Sequence, residues 1–278
     1  MSQPPRRLND LLADYFEDLN LAGITEFPPI PGSVQNGAGR QQSGENPLPS
    51  APNAGIPSPA PASSASPSMK KFPDDQLEPI LARVKPALSL RAKEAILRDM
   101  AQVVAGCKLC PDLVANRTQT VFGVGNPNAE LVFVGEGPGA DEDAQGIPFV
   151  GRSGQLLTDI IVKGMKMSRD EVYICNIVRC RPPGNRNPSD QEAACCRPFL
   201  EGTLRVISPQ YICCLGAVAA RNLLGTDLAI GKLRGKVHDY RGAKVVCTYH
   251  PAYLLRNPPA KVQTWEDIKM LLRQMGRM

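Results

Sequence analysis

The sequence predicts an α/β protein built on a mainly parallel sheet of four strands, with helices on both faces. Four short apolar segments recur in the second half of the chain, and each but the last is followed by a helical pattern. These segments are Leu131–Val134, Val172–Ile177, Tyr211–Leu215 and Lys244–Tyr249. Strands that alternate with helices are typical of parallel sheets. Because the carboxyl ends of parallel strands share one edge of the sheet, a ligand site is expected at that edge.

The first 69 of the 278 residues are predicted to lie outside the folded domain. Between residues 28 and 67, Pro, Ser, Ala, Gly and Asn dominate and large apolar residues are almost absent. Such a segment buries too little surface to offset the entropy lost on ordering. We therefore predict a disordered tail over residues 1–69 and a domain over residues 70–278. Leu8–Phe16 has helical spacing and is interpreted as a short docking helix, although its sequence names no partner. For the tail as a whole, a replication or repair partner is expected.

Charge is divided unevenly between the tail and the domain. The tail holds three basic and six acidic residues, whereas the remainder holds 29 basic and 21 acidic residues, a net charge of +8. A basic domain is compatible with nucleic acid as a partner, although a solvated cationic surface also explains so modest an excess. The sequence shows neither an apolar run of membrane-spanning length nor a secretory signal, which predicts a cytosolic protein. In the cytosol, nine cysteines are expected to be metal ligands, nucleophiles or core residues rather than disulfides.

A helix is predicted over Leu90–Ala105, with Ser89 as its N-cap. Directly after this helix, Cys107 and Cys110 form a C-x2-C pair. Such a pair alone is weak evidence for a metal site.

A second pair of cysteines, Cys180 and Cys196, flanks a Pro- and Gly-rich loop and is separated by sixteen positions. Cys196 falls on a helix predicted to begin near Ser189. With the C-x2-C pair, these residues supply four thiolates, which suit a tetrahedral ion or a cluster. Cys195 competes with Cys196, because adjacent helical residues point about 100° apart. The absence of a nearby histidine favours all-sulfur ligation, and the remaining cysteines are predicted to pack in the core: Cys175, Cys213, Cys214 and Cys247.

The first apolar strand runs into an acidic glycine-rich turn, Gly135-Glu136-Gly137-Pro138-Gly139, and three more carboxylates follow at residues 141–143. The glycine spacing matches a dinucleotide-binding fingerprint superficially. However, the carboxylates would repel phosphate, and Pro138 removes an N–H donor from the loop. A turn whose acids only cap the next helix explains the glycines and one acid. It leaves unexplained Phe149, an aromatic residue held near the same turn.

Polar residues also stand where the other strands end. Asn176 lies near the end of the second strand, and His250 follows the fourth. Because these ends share one edge of the sheet, we expect His250 to point into the same cleft as the acidic turn. The other histidine, His238, lies in a hairpin region without such neighbours.

The segment after His250 carries the apolar residues Tyr253, Leu254 and Leu255, followed by Arg256. Between its bounding prolines we predict a loop, in which these side chains would ordinarily belong to the core. Beside an arginine they are interpreted instead as a wedge that enters a base stack while the guanidinium holds a phosphate.

Together these motifs resemble those of the family 4 uracil-DNA glycosylases over roughly residues 90–278, and the tail lies outside the resemblance. The motifs occur in order: residues 135–143, Gly146–Gly151, Asn176, Cys180–Arg186, His250-Pro251 and Leu254–Arg256. The resemblance implies a three-layer α/β/α sandwich with a short, mainly parallel four-stranded sheet and a 4Fe-4S cluster. By position, it assigns the cluster to Cys107, Cys110, Cys180 and Cys196, which decides against Cys195. It also places Arg181 and Arg186 at the DNA backbone.

The resemblance implies a monofunctional enzyme that flips uracil out of DNA and hydrolyses its N-glycosidic bond, leaving an abasic site. Phe149 would offer the base a stacking face. The amide of Asn176 would accept from N3–H and donate to O4, a pattern that cytosine reverses. The resemblance puts Glu142 near C5 of the base, where its bulk would exclude the methyl group of thymine.

The same reasoning assigns the chemical step to three groups. His250 would donate toward O2, where negative charge accumulates as the glycosidic bond breaks, and the backbone N–H of Gly137 would assist. Glu136 would position or polarise the attacking water and stabilise a cationic sugar.

Several alternatives stay open at this point. One is a glycosylase with broader specificity for deaminated bases, another is a catalytically inactive iron–sulfur protein that binds DNA, and a third is an NAD- or ATP-dependent enzyme. The joint presence of four residues favours catalysis, because binding alone would not require them all: Glu136, Asn176, Phe149 and His250. We expect a monomer that acts on uracil-containing DNA and does not bind a membrane.

Overall fold

The computed structural model of the chain describes residues 74–278. The predicted tail and its docking helix lie outside the described residues. Within residues 74–278 the chain forms ten α-helices and one six-stranded sheet with the strand order β1-β3-β2-β4-β6-β5. The strands are β1 (Val124–Gly125), β2 (Leu131–Gly135), β3 (Tyr173–Asn176), β4 (Tyr211–Leu215), β5 (Val237–Tyr240) and β6 (Ala243–Thr248).

The four inner strands, β3, β2, β4 and β6, run parallel to one another. They are the four predicted strands, and each observed boundary agrees with its predicted position to within one residue. The prediction of a mainly parallel sheet is therefore confirmed. The sheet is larger than predicted because antiparallel edge strands, β1 and β5, extend it to six.

Neither edge strand carries the apolar run that reveals a buried strand. The described part of β1 has only two residues, and Val124 is exposed. Along β5, exposed residues alternate with half-buried ones, as expected of a strand at a solvent-facing edge. These short segments are strands because they pair with β3 and β6, and their own composition does not predict it.

The helices cover both faces of the sheet. They are α1 (Asp74–Leu81), α2 (Leu90–Ala105), α3 (Pro111–Asn116), α4 (Ala140–Gln145), α5 (Arg152–Asp159), α6 (Asp190–Ile207), α7 (Ala217–Leu224), α8 (Ile230–Leu233), α9 (Pro251–Arg256) and α10 (Ala260–Gln274). A π-helical turn, Ile160–Gly164, continues α5. The bounds of α2 match the prediction, and Ser89 caps it by accepting from the backbone N–H of Ala92. Ser189 likewise caps α6, at the start predicted for that helix.

Alternate residues of each inner strand enter two separate cores, as the two-residue period of a strand requires. In β2, Val132 and Val134 pack with α1, α2, α6 and α7, whereas Leu131 and Phe133 pack with α5, α9 and α10. The cysteines predicted to fill the core are buried. Residues 74–278 thus form a three-layer α/β/α sandwich. No helix among residues 74–278 is both long and apolar enough to cross a bilayer.

Parallel pairing also sets the geometry at the carboxyl edge of the sheet. Gly135 lies opposite Asn176 in the β2–β3 pair. The ladder continues beyond the strands, because the N–H of Val178 donates to the carbonyl of Glu136 at 3.1 Å. This pairing fixes the backbone of Glu136 one residue beyond the Gly135–Asn176 pair.

Candidate active site

A cavity of about 370 Å³ opens at the carboxyl edge of the sheet. Its volume lies within the range of about 300–1,000 Å³ that is typical of small-molecule sites. The four residues expected to share a cleft all line this cavity: Glu136, Asn176, Phe149 and His250. Other predicted site residues at its wall are Gly137, Glu142, Arg186, Tyr253 and Arg256. The topology therefore brings together residues that lie more than a hundred positions apart in the sequence.

Asn176 forms part of the cavity wall although only 1% of its surface is exposed. Its side-chain oxygen Oδ1 is buried and has no hydrogen-bond partner. Buried polar atoms are normally paired, and an unpaired one costs about 1–3 kcal/mol. An unpaired carbonyl oxygen in a cavity wall is well placed to accept a hydrogen bond from a ligand.

Gly135 provides the space for Asn176 and Phe149 to approach each other. A Cβ atom at position 135 would lie 2.4 Å from Asn176 Oδ1 and 2.6 Å from the Phe149 ring. Both distances are far shorter than van der Waals contact. The glycine is therefore required by the close packing of Asn176 and Phe149, two residues that line the cavity.

Phe149 is held in an unusual backbone conformation, with a φ of 54° and only 6% of its surface exposed. Positive φ is uncommon for a bulky residue and requires support from the surrounding structure. Arg169 gives this support, because its Nη2 donates to the carbonyls of Pro148 at 2.8 Å and Phe149 at 2.9 Å. The Phe149 ring lies 5.6 Å from the His250 ring, centroid to centroid.

His250 is the N-cap of α9, and its Nδ1 accepts from the backbone N–H of Ala252 at 3.1 Å. Burial, assisted by the nearby charge of Arg256, lowers the pKa of His250 from its ordinary 6.5 to about 4. The imidazole is therefore neutral at neutral pH. Because Nδ1 is an acceptor, the single ring proton resides on Nε2, which makes Nε2–H a donor.

Glu136 is partly buried at the cavity wall. Desolvation by burial raises the pKa of its carboxyl group above the ordinary value of a glutamate. A carboxylate with a raised pKa in a cavity is well suited to proton transfer or to binding a cationic centre.

Glu142 is also at the cavity wall, but both of its carboxylate oxygens are engaged. Oε2 accepts from the N–H of Gly139 at 3.0 Å, and Oε1 accepts from the N–H groups of Val150 at 3.0 Å and Gly151 at 2.9 Å. These bonds tie the acidic turn to the residues that follow Phe149. Glu142 thus braces the cavity wall, and its expected position near C5 of a base stays a prediction.

The prediction that Tyr253, Leu254 and Leu255 form a wedge after His250 is wrong for Leu254. The segment is the helix α9 rather than a loop, and successive helical side chains point about 100° apart. Leu254 consequently packs into the core with 1% of its surface exposed, so it is not available to nucleic acid in this conformation. Tyr253 and Leu255 are each 39% exposed, and Arg256 is exposed beside them.

The two arginines predicted to meet a DNA backbone lie on the loop before α6 with internal partners. Arg186 forms a two-point ion pair with Glu192, at 2.8 Å from Nη1 and 2.7 Å from Nη2. Arg181 donates from Nε to Asn185 at 2.8 Å and does not line the cavity. Their guanidinium groups therefore brace the loop as well as carry charge.

Five cysteines lie close to one another: Cys107, Cys110, Cys180, Cys195 and Cys196. The pKa of Cys110 is raised by burial and by its neighbours, which are Cys196, Cys195 and Cys107. Burial, together with Cys180 and Cys107, likewise raises the pKa of Cys196 to about 12. Cys196 thus neighbours all three of the other predicted ligands, which are Cys107, Cys110 and Cys180. Within residues 74–278, no three His, Cys, Asp or Glu side chains are placed to hold a single metal ion.

Sequence reasoning missed two arginines that organise these groups. Arg169 holds the carbonyl of Phe149, and Arg117 donates to the sulfur of Cys180 at 2.9 Å and to the carbonyl of Cys107 at 2.9 Å. Neither arginine belongs to a motif, and each contacts residues distant in the chain. No signal in a single sequence identifies such contacts.

Comparisons with known proteins give a consistent result. A family model described as the uracil DNA glycosylase superfamily matches residues 122–269. The chain is 46% identical over 167 residues to a type-4 uracil-DNA glycosylase of Thermotoga maritima, covering 59% of this chain and 86% of that protein. It is 39% identical over 189 residues to a type-4 uracil-DNA glycosylase of Archaeoglobus fulgidus, covering 65% and 94%. A third, from Sulfurisphaera tokodaii, is 40% identical over 183 residues, covering 63% and 83%.

Proposed function

The chain belongs to the uracil DNA glycosylase superfamily, and we propose that it excises uracil from DNA by hydrolysing the N-glycosidic bond. One observation carries the proposal from family to site. Asn176, whose buried Oδ1 has no hydrogen-bond partner, lines a cavity together with Phe149, His250 and Glu136. Release of the base leaves an abasic site in the DNA, and the protein acts as a monofunctional hydrolase in DNA repair.

Uracil enters the cavity only after it is flipped out of the duplex, at a cost of a few kcal/mol. Its N3–H donates to Asn176 Oδ1, which satisfies the unpaired acceptor, while the amide NH2 donates to O4. The Phe149 ring, fixed by Arg169, stacks on the base. Cytosine places an acceptor at N3 and a donor at C4, so it would leave the buried Asn176 oxygen unpaired and is rejected.

The departing uracil anion carries negative charge on O2 as the glycosidic bond lengthens. His250 donates to O2 from Nε2, and a neutral imidazole makes this bond without giving up its proton. The backbone N–H of Gly137 adds a second donor. Glu136 acts on the sugar rather than on the departing base. Its carboxylate orients the attacking water and stabilises the positive charge that develops on the sugar.

The surface around the cavity is suited to hold the DNA. Tyr253 and Leu255 project from α9 as an apolar edge, and Arg256 supplies a positive charge beside them. Arg181 and Arg186 lie on the loop before α6, where each retains N–H donors for phosphate. The pairing of Arg186 with Glu192 orients its guanidinium but reduces the net charge that it offers.

We also propose that Cys107, Cys110, Cys180 and Cys196 hold a 4Fe-4S cluster. The chemistry of this donor set fits, because all four are cysteines without a nearby histidine and Arg117 donates to Cys180. Each thiolate of such a cluster binds its own iron atom, so the four sulfurs are not required to converge on one point. The cluster would supply no group to the hydrolysis and would instead cross-link the segment between α2 and α3, the loop before α6 and α6 itself.

The proposed activity is tested with a single-stranded and a double-stranded oligonucleotide that contain one uracil. We expect the purified protein to release free uracil and to leave a site that alkali cleaves. Parallel substrates with hypoxanthine or a G·T mismatch distinguish a glycosylase of broader specificity. Release of no base by iron-loaded protein would leave the DNA-binding alternative as the better description.

Gly135→Ala is expected to abolish measurable uracil release, because the added Cβ would lie 2.4 Å from Asn176 Oδ1 and 2.6 Å from the Phe149 ring. Gly231→Ala is the matched control, since a Cβ there meets nothing within 4 Å. Initial rates and thermal unfolding of both variants check the prediction. A Gly135→Ala variant as active as the control would place the base elsewhere.

Replacing a cluster ligand is expected to remove iron and colour. Cys196→Ser should lose the broad visible absorption and most of the iron and acid-labile sulfide, whereas Cys195→Ser should retain both. The two substitutions are adjacent and chemically identical, so they test the ligand assignment directly. Equal iron contents in the two variants, or stoichiometric zinc in the wild type, would refute it.

We propose that the protein acts as a monomer in the cytosol, because one described chain contains the whole cavity and the substrate is DNA. Size-exclusion chromatography with light scattering at several concentrations tests the oligomeric state. Whether residues 1–69 bind a repair or replication partner is tested by comparing pull-downs with the full chain and with a chain that lacks them.

A further inference from the structure

Arg179 is the largest fully buried side chain among the described residues. It lies between Asn176 and Cys180, directly after β3. Its Nη1 donates to the backbone carbonyl of Asn176, and Nη2 donates to the hydroxyl of Thr203 at 3.4 Å. Its Nε has no partner, and the ring of Phe122 lies 5.4 Å from the guanidinium carbon.

No carboxylate balances this charge within the described residues. None of the ion pairs found among residues 74–278 includes Arg179. Arginine cannot lose its proton in a protein, and an isolated buried ion costs several kcal/mol even after relaxation. A cation in such a position calls for a negative group that the protein side chains do not supply.

Two sulfurs are also neighbours of Arg179. Its side chain contacts Cys175, and its backbone N–H bonds to the sulfur of Cys196. A free buried cysteine is a neutral thiol, whereas a metal-bound cysteine is a thiolate. Binding of a cluster that includes Cys196 would therefore place negative charge near the buried guanidinium.

We propose that Arg179 is a positioning residue that couples the proposed cluster to base recognition. Its charge is balanced by the thiolate-bound cluster, and its Nη1 holds the backbone carbonyl of Asn176, whose side chain accepts from uracil. The inference rests on the proposed function and on the proposed cluster. It explains why Arg179, a buried cation with an unpaired Nε, lies three residues after Asn176, the residue proposed to bind the base.

Two substitutions separate charge from geometry. Arg179→Met keeps a long side chain but removes the charge and the hydrogen bonds, whereas Arg179→Lys keeps the charge and loses the planar fork. Lys93→Met is the control for loss of a partly buried cation, because Lys93 donates to the carbonyl of Ile207 and makes no contact with Asn176 or the cysteines.

The first measurement is the reduction midpoint potential of the cluster in the iron-loaded protein. Removing a nearby positive charge favours the oxidised cluster, so Arg179→Met should shift the potential to more negative values. Arg179→Lys and Lys93→Met should leave it close to the wild-type value. A Met variant with the wild-type potential would overturn the charge balance, as would a wild-type protein without iron.

The second measurement is product inhibition by free uracil, with iron contents matched between variants. Because the hydrogen bond from Arg179 holds the backbone of Asn176, we expect the inhibition constant of uracil to rise about tenfold in Arg179→Met and to rise also in Arg179→Lys. It should not change in Lys93→Met. If Arg179→Met does not fold, Arg179→Lys alone decides, since it should combine a wild-type potential with weaker uracil inhibition.

The two measurements test the role of Arg179 separately from the proposed function. A wild-type protein that binds a cluster but neither releases nor binds uracil would refute the function, while the potential would still report the contact of Arg179 with the cluster. An unchanged uracil inhibition constant in both Arg179 variants would overturn the positioning role, even in a fully active glycosylase.

Discussion

Glu136→Gln is expected to lower kcat for uracil release by about 10²–10⁴-fold, the range typical of a lost general acid–base group. Glutamine has nearly the same shape but neither accepts a proton from water nor carries the negative charge that stabilises a cationic sugar. Single-turnover release from a uracil-containing oligonucleotide measures the effect without interference from product release. A Gln variant that retains wild-type kcat would remove Glu136 from the mechanism.

The pH dependence of the same variant provides an independent check. Burial raises the pKa of Glu136, so the acid limb of the wild-type rate should lie at higher pH than for an ordinary glutamate, and the rate should rise as the carboxyl group ionises. The limb should be absent from Glu136→Gln. Since a raised pKa means that ionisation at higher pH destabilises the fold, this variant should unfold at an equal or higher temperature at neutral pH.

His250→Asn is expected to lower kcat by about 10²–10³-fold, as removal of one donor to a developing oxyanion does in other enzymes. Asparagine is a good N-cap, so it preserves the start of α9 while its shorter side chain withdraws the donor from O2. The measurement is again single-turnover uracil release, combined with thermal unfolding. A loss of rate without a loss of stability is the result expected of a catalytic donor.

His250→Ala completes this test, because it removes the donor and also the cap that accepts from Ala252. It should show a similar loss of rate and an additional loss of stability of about 1 kcal/mol. The lowered pKa of about 4 also predicts how stability depends on pH. Between pH 6.5 and about 4 only the unfolded histidine binds a proton, so the stability of the wild type should fall as the pH drops through this range. If His250→Asn showed the same fall, His250 would not be its source.

Much of the fold follows from patterns that are local in the sequence. The apolar runs of β2, β3, β4 and β6 predict buried strands because both of their faces are covered, and Ser89 predicts the start of α2 because its hydroxyl caps a free N–H. The edge strand β5 escapes the same reasoning, since half of its residues face solvent. It is a strand because it pairs with β6 across a turn of two residues, Arg241-Gly242.

The α9 segment shows how a correct motif can mislead in detail. Its apolar residues and arginine indicate a contact surface, but the sequence does not reveal whether the segment is a loop or a helix. Once the helix forms, its period places Leu254 against the core and leaves Tyr253 and Leu255 exposed. The acidic turn is a comparable case: Glu136 faces the cavity, whereas Glu142 binds three backbone N–H groups.

The sequence by itself determined the parallel α/β sheet, the order of the motifs along it and the residue types at its carboxyl edge, because these depend on short-range periodicity, turns and caps. Only the tertiary structure decided which of those side chains are free to act. The unpaired oxygen of Asn176, the lowered pKa of His250 and the buried charge of Arg179 depend on burial. Burial is set by segments that meet in space from distant parts of the chain, so no local pattern encodes it.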